Sequence, residues 1–229
     1  MTLEYLSKKL NHFIKQTLPF YYYIILPYFY CKIFKSFNKF TFKGEKYKYF
    51  CHRYNDSWGN ERSIEVPIVK KIVNEYHCEE ILEIGNVLSH YFKICHDVVD
   101  KYEKAEGVIN QDVVDFNPSK KYKLIISIST LEHVGWDEEP RDPKKIFCAL
   151  KNMKDCLASG GKLIVTMPIG ANPYLDSYLR KGKIKFSENH FLKRISKDNK
   201  WVEQTTFCDA EYGSPYPLGN AIFVGVYQK

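Results

Sequence analysis

Short apolar runs that end in polar or turn-forming residues recur along the middle of the chain. They span residues 80–84, 96–100, 123–130 and 162–168. Continuous apolar runs of this length are typical of strands buried on both faces, and helical patterns separate some of them. Strands that alternate with helices predict βαβ units, and therefore an α/β fold with a mostly parallel sheet.

The first run reads Glu-Ile-Leu-Glu-Ile-Gly and is the most informative segment of the sequence. Gly85, directly after the strand, allows a tight turn and a close approach of the backbone to a ligand. Glu83 stands near the carboxyl end of the strand, which is the edge at which open α/β sheets bind ligands. A carboxylate suits a hydroxyl or an ammonium group better than a phosphate, so Glu83 is expected to point into such a site.

Five segments together resemble the class I S-adenosylmethionine-dependent methyltransferases. They are residues 83–85, Asp100, 111–116, 129–134 and 157–163. The resemblance covers roughly residues 80–168 and rests on the order and spacing of the segments. It implies a Rossmann-like, doubly wound α/β fold with seven strands, mostly parallel with an antiparallel last strand. It also implies S-adenosyl-L-methionine as the cofactor.

The same resemblance assigns residues to the cofactor site. Asp100 matches the acid that holds the ribose hydroxyls, and Asp112 matches the acid that accepts from the adenine amino group. The full expected set is Glu83, Gly85, Asn86, Asp100, Asp112 and Ser129. Val87 departs from the family, whose members usually carry a second glycine there, which implies a displaced loop, weaker cofactor binding or lost activity. Asn86 tolerates left-handed backbone geometry, so the turn itself is expected.

His133 is the candidate catalytic base. Methyl transfer needs an aligned acceptor and often the removal of a proton, and an unperturbed histidine titrates near neutral pH. The alternative is that Glu132 and His133 open the next helix, where Glu132 is favourable near the N-terminus. The acidic run 137–139 shows no metal-ligand spacing with histidine, so no metal is predicted.

The net positive charge of the chain comes from its N-terminal part. Residues 1–50 contain nine lysines and two acids, an excess of seven that equals the net charge of +7. The aromatic segment 18–30 is too short for a transmembrane helix. It suits an anionic membrane surface, or alternatively it packs on the domain or on a second subunit. Nucleic-acid binding is not expected, because no known motif supports it. The predicted division is an extension over 1–50 and a methyltransferase-like domain over 51–229.

The flanks of the resembling region carry further elements. A helix is predicted over 61–76 with Asn60 as its cap, although Pro67 should kink it or move its start. Residues 58–62 are expected either as a lid over the site or as a surface loop. The segments 201–206 and 221–227 are predicted as the last two strands, which in the resembled family pair as an antiparallel hairpin after a long insertion.

The seven cysteines are scattered, odd in number and form no CxxC pair. This pattern predicts reduced thiols and a cytoplasmic protein, peripheral to the membrane if the extension binds lipid.

Segments 54–65 and 83–91 resemble small methyltransferases of cell-surface polysaccharide pathways. The resemblance implies an O-methyltransferase that acts on a hydroxyl or carboxyl of a glycan, a lipid-linked sugar or another small acceptor. The alternative is a catalytically silent protein that keeps the fold as a binding or scaffold module.

Overall fold

The described residues, 26–33 and 37–229 of the computed structural model, form four α-helices and ten strands. In chain order these are α1 (Leu26–Ile33), β1 (Lys39–Phe42), β2 (Glu45–Lys48), α2 (Arg62–Val73), β3 (Ile81–Ile84), β4 (Asp97–Val99), β5 (Val108–Ile109), β6 (Tyr122–Ile128), α3 (Lys145–Cys156), β7 (Leu157–Pro168), α4 (Pro173–Arg180), β8 (Glu188–Arg194), β9 (Trp201–Gln204) and β10 (Ala221–Gln228). Most of the aromatic segment predicted at 18–30 lies outside the described residues.

Eight of these strands form one sheet in the order β5-β4-β3-β6-β7-β10-β8-β9. The pairs from β5 to β7 are parallel, whereas β10 is antiparallel to β7 and β8, and β9 is antiparallel to β8. The chain runs outward from β3 to β5 and then returns to β6 on the other side of β3. The predicted Rossmann-like, doubly wound α/β fold is thus confirmed, and the reversal between β3 and β6 leaves a crevice at their carboxyl ends.

Hydrophobic clusters cover both faces of the sheet. Leu82 and Ile84 of β3 pack in one cluster with the apolar face of α3, which includes Met153. Ile81 packs in the other cluster with the apolar face of α2, which includes Ile68. Burial on both faces explains why these strands read as continuous apolar runs rather than as alternating ones.

The hairpin of β1 and β2 packs on the α2 side of the sheet. Phe40 and Phe42 are buried in the same cluster as the residues of α2 and β6. Residues 39–48 of the predicted extension therefore share the core of the domain. The predicted boundary at residue 50 does not coincide with an edge of that core.

The carboxyl-terminal part of the sheet corrects the predicted strand pairing. The last two predicted strands form, as β9 and β10, but they do not pair with each other. The additional strand β8 lies between them and brings the sheet to eight strands. The first three residues of β8 are polar and exposed or half-buried, and Phe191 and Leu192 are its buried apolar residues. An apolar signal of two residues is too short to mark a strand.

Helix α2 forms where it was predicted and runs through Pro67. The Asn60 side chain accepts the Arg62 amide at 3.0 Å, as expected at the start of the helix. A proline inside a helix leaves the carbonyl four residues earlier without its usual donor. Here that carbonyl, of Ser63, accepts the Phe50 amide at 2.8 Å. The helix therefore tolerates the proline because the preceding loop supplies the missing hydrogen bond.

The prediction of reduced thiols is wrong for Cys78 and Cys95, which form a disulfide. Their Cα atoms lie 5.5 Å apart because the entrance to β3 runs beside the segment that precedes β4. Such a pair is close in space but 17 residues apart in sequence, so no local spacing marks it. Cys148, Cys156 and Cys208 carry free thiols.

We expect Cys95→Ser to lower the free energy of unfolding by about 3 kcal/mol, since a disulfide that closes a loop of this length restricts the unfolded chain by about that amount. Urea denaturation without reductant measures the loss. Reductant should destabilise the parent protein to a similar extent and leave Cys95→Ser unchanged. Cys148→Ser, which alters an exposed free thiol, is the matched control. Equal midpoints for Cys95→Ser and the parent without reductant would contradict the prediction.

Candidate functional site

A cleft of about 260 Å³ opens at the carboxyl ends of β3, β4 and β6. Its lining residues are Ile84, Gly85, Asn86, Val87, Val99, Asp100, Lys101, Tyr102, Gln111, Asp112, Val113, Ser129, Thr130, His133, Val134 and Glu138. Valine and isoleucine side chains supply apolar walls, and acids stand at the ends of the strands. Six of the seven residues predicted from the sequence for the site line this cleft, and Glu83 does not.

Gly85 forms the turn after β3. Its φ of +85° is a backbone conformation that favours glycine, and its amide donates to the Val99 carbonyl at 2.8 Å. A Cβ atom at this position would collide with the Thr130 side chain. The turn therefore needs glycine for two reasons, which are the backbone angle and the close approach of the segment after β6.

The Glu83 side chain hydrogen bonds to the turn after β3 and does not line the cleft. Its side chain is fully buried, and one carboxylate oxygen accepts the amides of Val87 and Leu88 at 3.0 and 2.8 Å. The other oxygen lies 2.8 Å from Nε2 of His96, which is also buried. The expectation of direct cofactor contact by Glu83 is therefore revised, because both carboxylate oxygens are used within the protein.

The two residues after Gly85 complete the turn. The Asn86 amide donates to Oδ2 of Asp100 at 3.0 Å, and the Asn86 side chain donates to Glu103 at 2.7 Å. Val87 has a φ of −110° and packs against the α2-side cluster. A β-branched residue is thus accommodated where the resembled family carries a second glycine.

Asp100 lies at the end of β4 and organises the loop that follows. Its Oδ1 accepts the amides of Tyr102 and Glu103, both at 2.8 Å, and its Oδ2 accepts the Asn86 amide. A carboxylate offers about four lone-pair positions, so about one remains for a ligand in the cleft. Asp100 therefore joins the two loops on either side of the cleft and still has capacity for a hydroxyl donor.

Asp112 takes part in a cluster of four charges. Its Oδ2 lies 2.6 Å from Nζ of Lys145 and 3.0 Å from Nζ of Lys101, and both lysines also contact Glu138 within 2.9 Å. Burial raises the pKa of Asp112, but the hydrogen bonds from Lys145, the Val114 amide and Lys101 outweigh it and leave the pKa below its usual value. The four charges balance, so this end of the cleft carries little net charge.

A second cleft of about 300 Å³ adjoins the first. Its lining residues are Asn55, Glu61, Arg62, Ser129, Glu132, His133, Trp136, Asp137, Pro168, Ala171, Tyr212 and Leu218. Ser129 and His133 line both clefts. Ser129 follows β6 with a positive φ of 38°, and its hydroxyl donates to Oε1 of buried Glu65 at 2.8 Å. The two shared residues mark where ligands in the two clefts would meet.

His133 is paired with the carboxylate of Asp137. Its Nδ1 lies 2.5 Å from Oδ2 of Asp137, while Nε2 lies 3.7 Å from Oε1 of Glu132. The imidazole is 55% exposed and lies in a short turn after β6. An Nδ1 hydrogen bonded to Asp137 leaves Nε2 able to accept a proton from a ligand at the junction of the clefts.

Buried acids form one wall of the second cleft. Glu61, Glu65 and Glu132 are 7%, 0% and 2% exposed, and Arg62 bonds Glu65 at 2.7 Å. Burial is the main reason that the pKa of Glu132 lies well above its usual value. The negative charges of Glu65 and Glu61 raise this pKa further, whereas the positive charge of Arg62 lowers it. Burial and Glu65 likewise raise the pKa of Glu61. The wall thus holds more carboxyl groups than cations.

The sequence left residues 58–62 either as a lid over the site or as a surface loop, and Glu61 and Arg62 of this segment line the second cleft. Three residues at the clefts were not predicted from the sequence: Glu65, Lys101 and Lys145. Glu65 could have been noticed, because an acid stands between the apolar residues Ile64 and Val66 of α2. No sequence pattern marks the two lysines, since they meet Asp112 only where the loop after β4 lies against α3.

Among the described residues, no group of three histidine, cysteine, aspartate or glutamate side chains is arranged to hold a metal ion. Asp112 and Glu138 pair with lysines, Glu65 pairs with Arg62, and Asp137 pairs with His133.

No family model matches the chain, and no curated protein matches it. Solved structures do resemble it. The N-methyltransferase NodS from Bradyrhizobium japonicum, solved with S-adenosyl-L-homocysteine, is 13% identical, with a TM-score of 0.44 over 74% of this chain and 87% of that chain. A SAM-dependent methyltransferase from Archaeoglobus fulgidus is 13% identical, with a TM-score of 0.48; the match covers 72% of this chain and 93% of that chain. The sugar N-methyltransferase KedS8 from Streptoalloteichus sp. is 14% identical, with a TM-score of 0.37; the match covers 72% of this chain and 87% of that chain. The solved structures that the chain resembles in this way are methyltransferases, and the likeness is one of fold alone.

Proposed function

We propose that this chain transfers a methyl group from S-adenosyl-L-methionine to a hydroxyl of a glycan or lipid-linked sugar. The observation that carries the proposal is the pair of clefts that share Ser129 and His133 at the carboxyl edge of the sheet. The first cleft has the features of a nucleoside site, and the second is open to a polar acceptor. A histidine with an orienting carboxylate stands between them.

The residues of the first cleft fit the cofactor. The Gly85 turn lines the cleft, and Asp100 keeps a lone pair for a ribose hydroxyl. The apolar walls, which include Val99 and Val113, suit a flat adenine ring, and Asp112 lies in the same lining. The cofactor supplies an electrophilic methyl group on a sulfonium centre, so the protein needs mainly to align the acceptor.

His133 acts in this proposal as the base for the acceptor. Asp137 holds Nδ1, so that Nε2 accepts the proton as the acceptor oxygen becomes nucleophilic. The acidic wall of the second cleft disfavours a carboxylate acceptor, because like charges repel in a buried site. A hydroxyl acceptor is therefore favoured over the carboxyl acceptor.

The proposed membrane contact consists of exposed apolar side chains on α1 and just after it. Phe29 and Ile33 of α1 and the nearby Phe37 are 47%, 53% and 78% exposed. Tyr28 of the same helix packs on Trp58, with ring centroids 5.8 Å apart, in the turn that also contains the cleft residue Asn55. Exposed apolar side chains next to a lysine-rich segment suit an anionic membrane interface. A lipid-linked acceptor would then enter the cleft from the membrane side.

None of the helices in the described residues is long and apolar enough to cross a bilayer. The Cys78–Cys95 disulfide removes the cysteine argument for a reducing compartment. Cytoplasmic location with peripheral membrane attachment therefore stays a prediction, and vesicle co-sedimentation tests its membrane part.

The catalytically silent alternative rests on Val87, and the accommodation of Val87 in the turn weakens it. Calorimetry with S-adenosyl-L-homocysteine separates the two functions at the first step. Binding followed by methyl transfer onto a panel of sugars supports the enzyme, whereas no binding supports the silent protein.

Asp100→Ala should weaken S-adenosyl-L-homocysteine binding at least tenfold, which corresponds to about 1.4 kcal/mol. The variant loses the proposed ribose contact and also the acceptor for three loop amides. Isothermal titration calorimetry measures the affinity. Asp115→Ala, which changes an exposed acid outside the cleft lining, is the matched control and should bind as the parent does. Parental affinity in Asp100→Ala would remove Asp100 from the site.

His133→Ala should lower turnover by about 10²–10⁴ with the sugar that the panel identifies, because the variant loses general-base assistance. His133→Gln should not restore turnover, since an amide cannot take up the proton. The affinity for S-adenosyl-L-homocysteine should stay near that of the parent in both variants. His190→Ala is the control, because His190 packs on Phe42 and lies outside both cleft linings. Near-parental turnover in both His133 variants would show that alignment alone drives the reaction.

Replacement of Phe29, Ile33 and Phe37 together by serine should abolish co-sedimentation with phosphatidylserine-containing vesicles. The apolar side chains that would enter the interface are then gone, although the charge is unchanged. Ile195→Ser, which removes an equally exposed apolar residue elsewhere, should sediment as the parent does. Calorimetry should give an unaltered cofactor affinity in both variants. If the triple variant still sediments like the parent, this surface is not the membrane contact.

A further inference from the structure

The charges in the wall of the second cleft are only partly balanced. Arg62 pairs with Glu65 at 2.7 Å, and these two charges cancel. Glu61 accepts the backbone amide of Gly219 at 3.0 Å, which supplies a dipole but no opposite charge. Glu132 lines the same cleft, and its Oε1 lies 3.7 Å from Nε2 of His133, which the proposed function assigns to the acceptor's proton. Among the described residues of this lining, no lysine or second arginine is left to pair with Glu132.

Glu132 carries an orphaned acceptor in the cleft. Its Oε2 is buried and has no hydrogen-bond partner within the described part of the chain, although the residue lines the second cleft. A buried polar atom without a partner destabilises the folded protein. Such an atom in a cleft wall indicates a missing donor, and the donor is supplied most simply by the ligand.

We infer that the second cleft binds its acceptor through a protonated amine that sits between Glu132 and Glu61, so that the acceptor is an amine-bearing sugar. An ammonium group brings both a donor for Oε2 of Glu132 and the positive charge that the wall lacks. A neutral hydroxyl brings only the donor. The inference concerns how the acceptor is recognised, and it rests on the proposed function for what is methylated.

The titration of the wall agrees with this assignment. Burial and neighbouring negative charge raise the pKa values of Glu132 and Glu61, which favours their neutral forms when no cation is present. A bound ammonium group opposes both causes, since it adds an opposite charge close to the carboxylates. Arg62 does not take this role, because its hydrogen bond is directed to Glu65.

Matched sugar pairs test the inference directly. Glucosamine with glucose, and galactosamine with galactose, differ in one amine, and their binding to the full chain is measured by ligand-detected NMR with saturating S-adenosyl-L-homocysteine. The amine member of each pair should bind at least tenfold more tightly. Equal affinity within the pairs, preference for the neutral sugar, or no binding of either member at tens of millimolar would overturn the inference.

Variants connect the preference to the wall. Glu132→Gln keeps the shape of the side chain without its charge, and it should reduce the amine preference at least tenfold while neutral sugars bind as before. Glu61→Gln provides a second test if Glu132→Gln unfolds, as judged by its thermal transition. Asp97→Asn, which alters a partly buried acid at the opposite end of β4, should keep the full preference. An unchanged preference in folded Glu132→Gln and Glu61→Gln contradicts the assignment.

Failure of the proposed function gives a different result. In that case S-adenosyl-L-homocysteine does not bind in the first cleft, or no sugar is methylated, whatever the amine preference. The amine preference measured without the cofactor product would then still decide whether the acidic wall binds cations.

Discussion

The buried carboxylate of Glu83 is the constraint on which the first cleft depends. It is fully excluded from solvent inside the sheet, where an uncompensated charge would cost several kcal/mol. The loop amides of Val87 and Leu88 and the ring of His96 compensate it. These bonds hold the turn after β3 in one conformation, and the Asn86 amide then ties the turn to the end of β4. The β3 side of the cleft therefore depends on this one buried group.

The sheet could be predicted from sequence where both of its faces are buried, because a continuous apolar run such as that of β6 is typical of a central parallel strand. The strand β8 could not, since its first half is polar and exposed or half-buried. Asp100, Asp112 and Ser129 were predicted for the site from the resemblance of their segments to a known family. They line one cleft because the topology brings the carboxyl ends of the parallel strands together. The direction of the Glu83 side chain, the bonding of Cys78 to Cys95 and the orphaned atom of Glu132 depend on three-dimensional neighbours that no sequence spacing records.

The pKa values of the acids are shifted in opposite directions in the two clefts. In the first, Asp112 and Glu138 share two lysines, and the pKa of each lies below its usual value although burial alone would raise it. Both acids therefore stay ionised and satisfied, and binding there depends on shape and on directed hydrogen bonds. In the second, Glu61 and Glu132 lack such partners, and their pKa values are raised. The second cleft is thus the place where ligand charge matters.

Helix α2 connects these two environments. Glu65, on its buried face, accepts the Ser129 hydroxyl with one oxygen and Arg62 with the other. Since Ser129 lines both clefts, the same carboxylate that balances Arg62 in the acidic wall also fixes the end of β6 beside the first cleft. A cation bound in the wall would change the field at Glu65 and therefore at the hydroxyl that it holds. Two hydrogen bonds to Glu65, from Arg62 and from the Ser129 hydroxyl, therefore link the acidic wall of the second cleft to a residue that also lines the first.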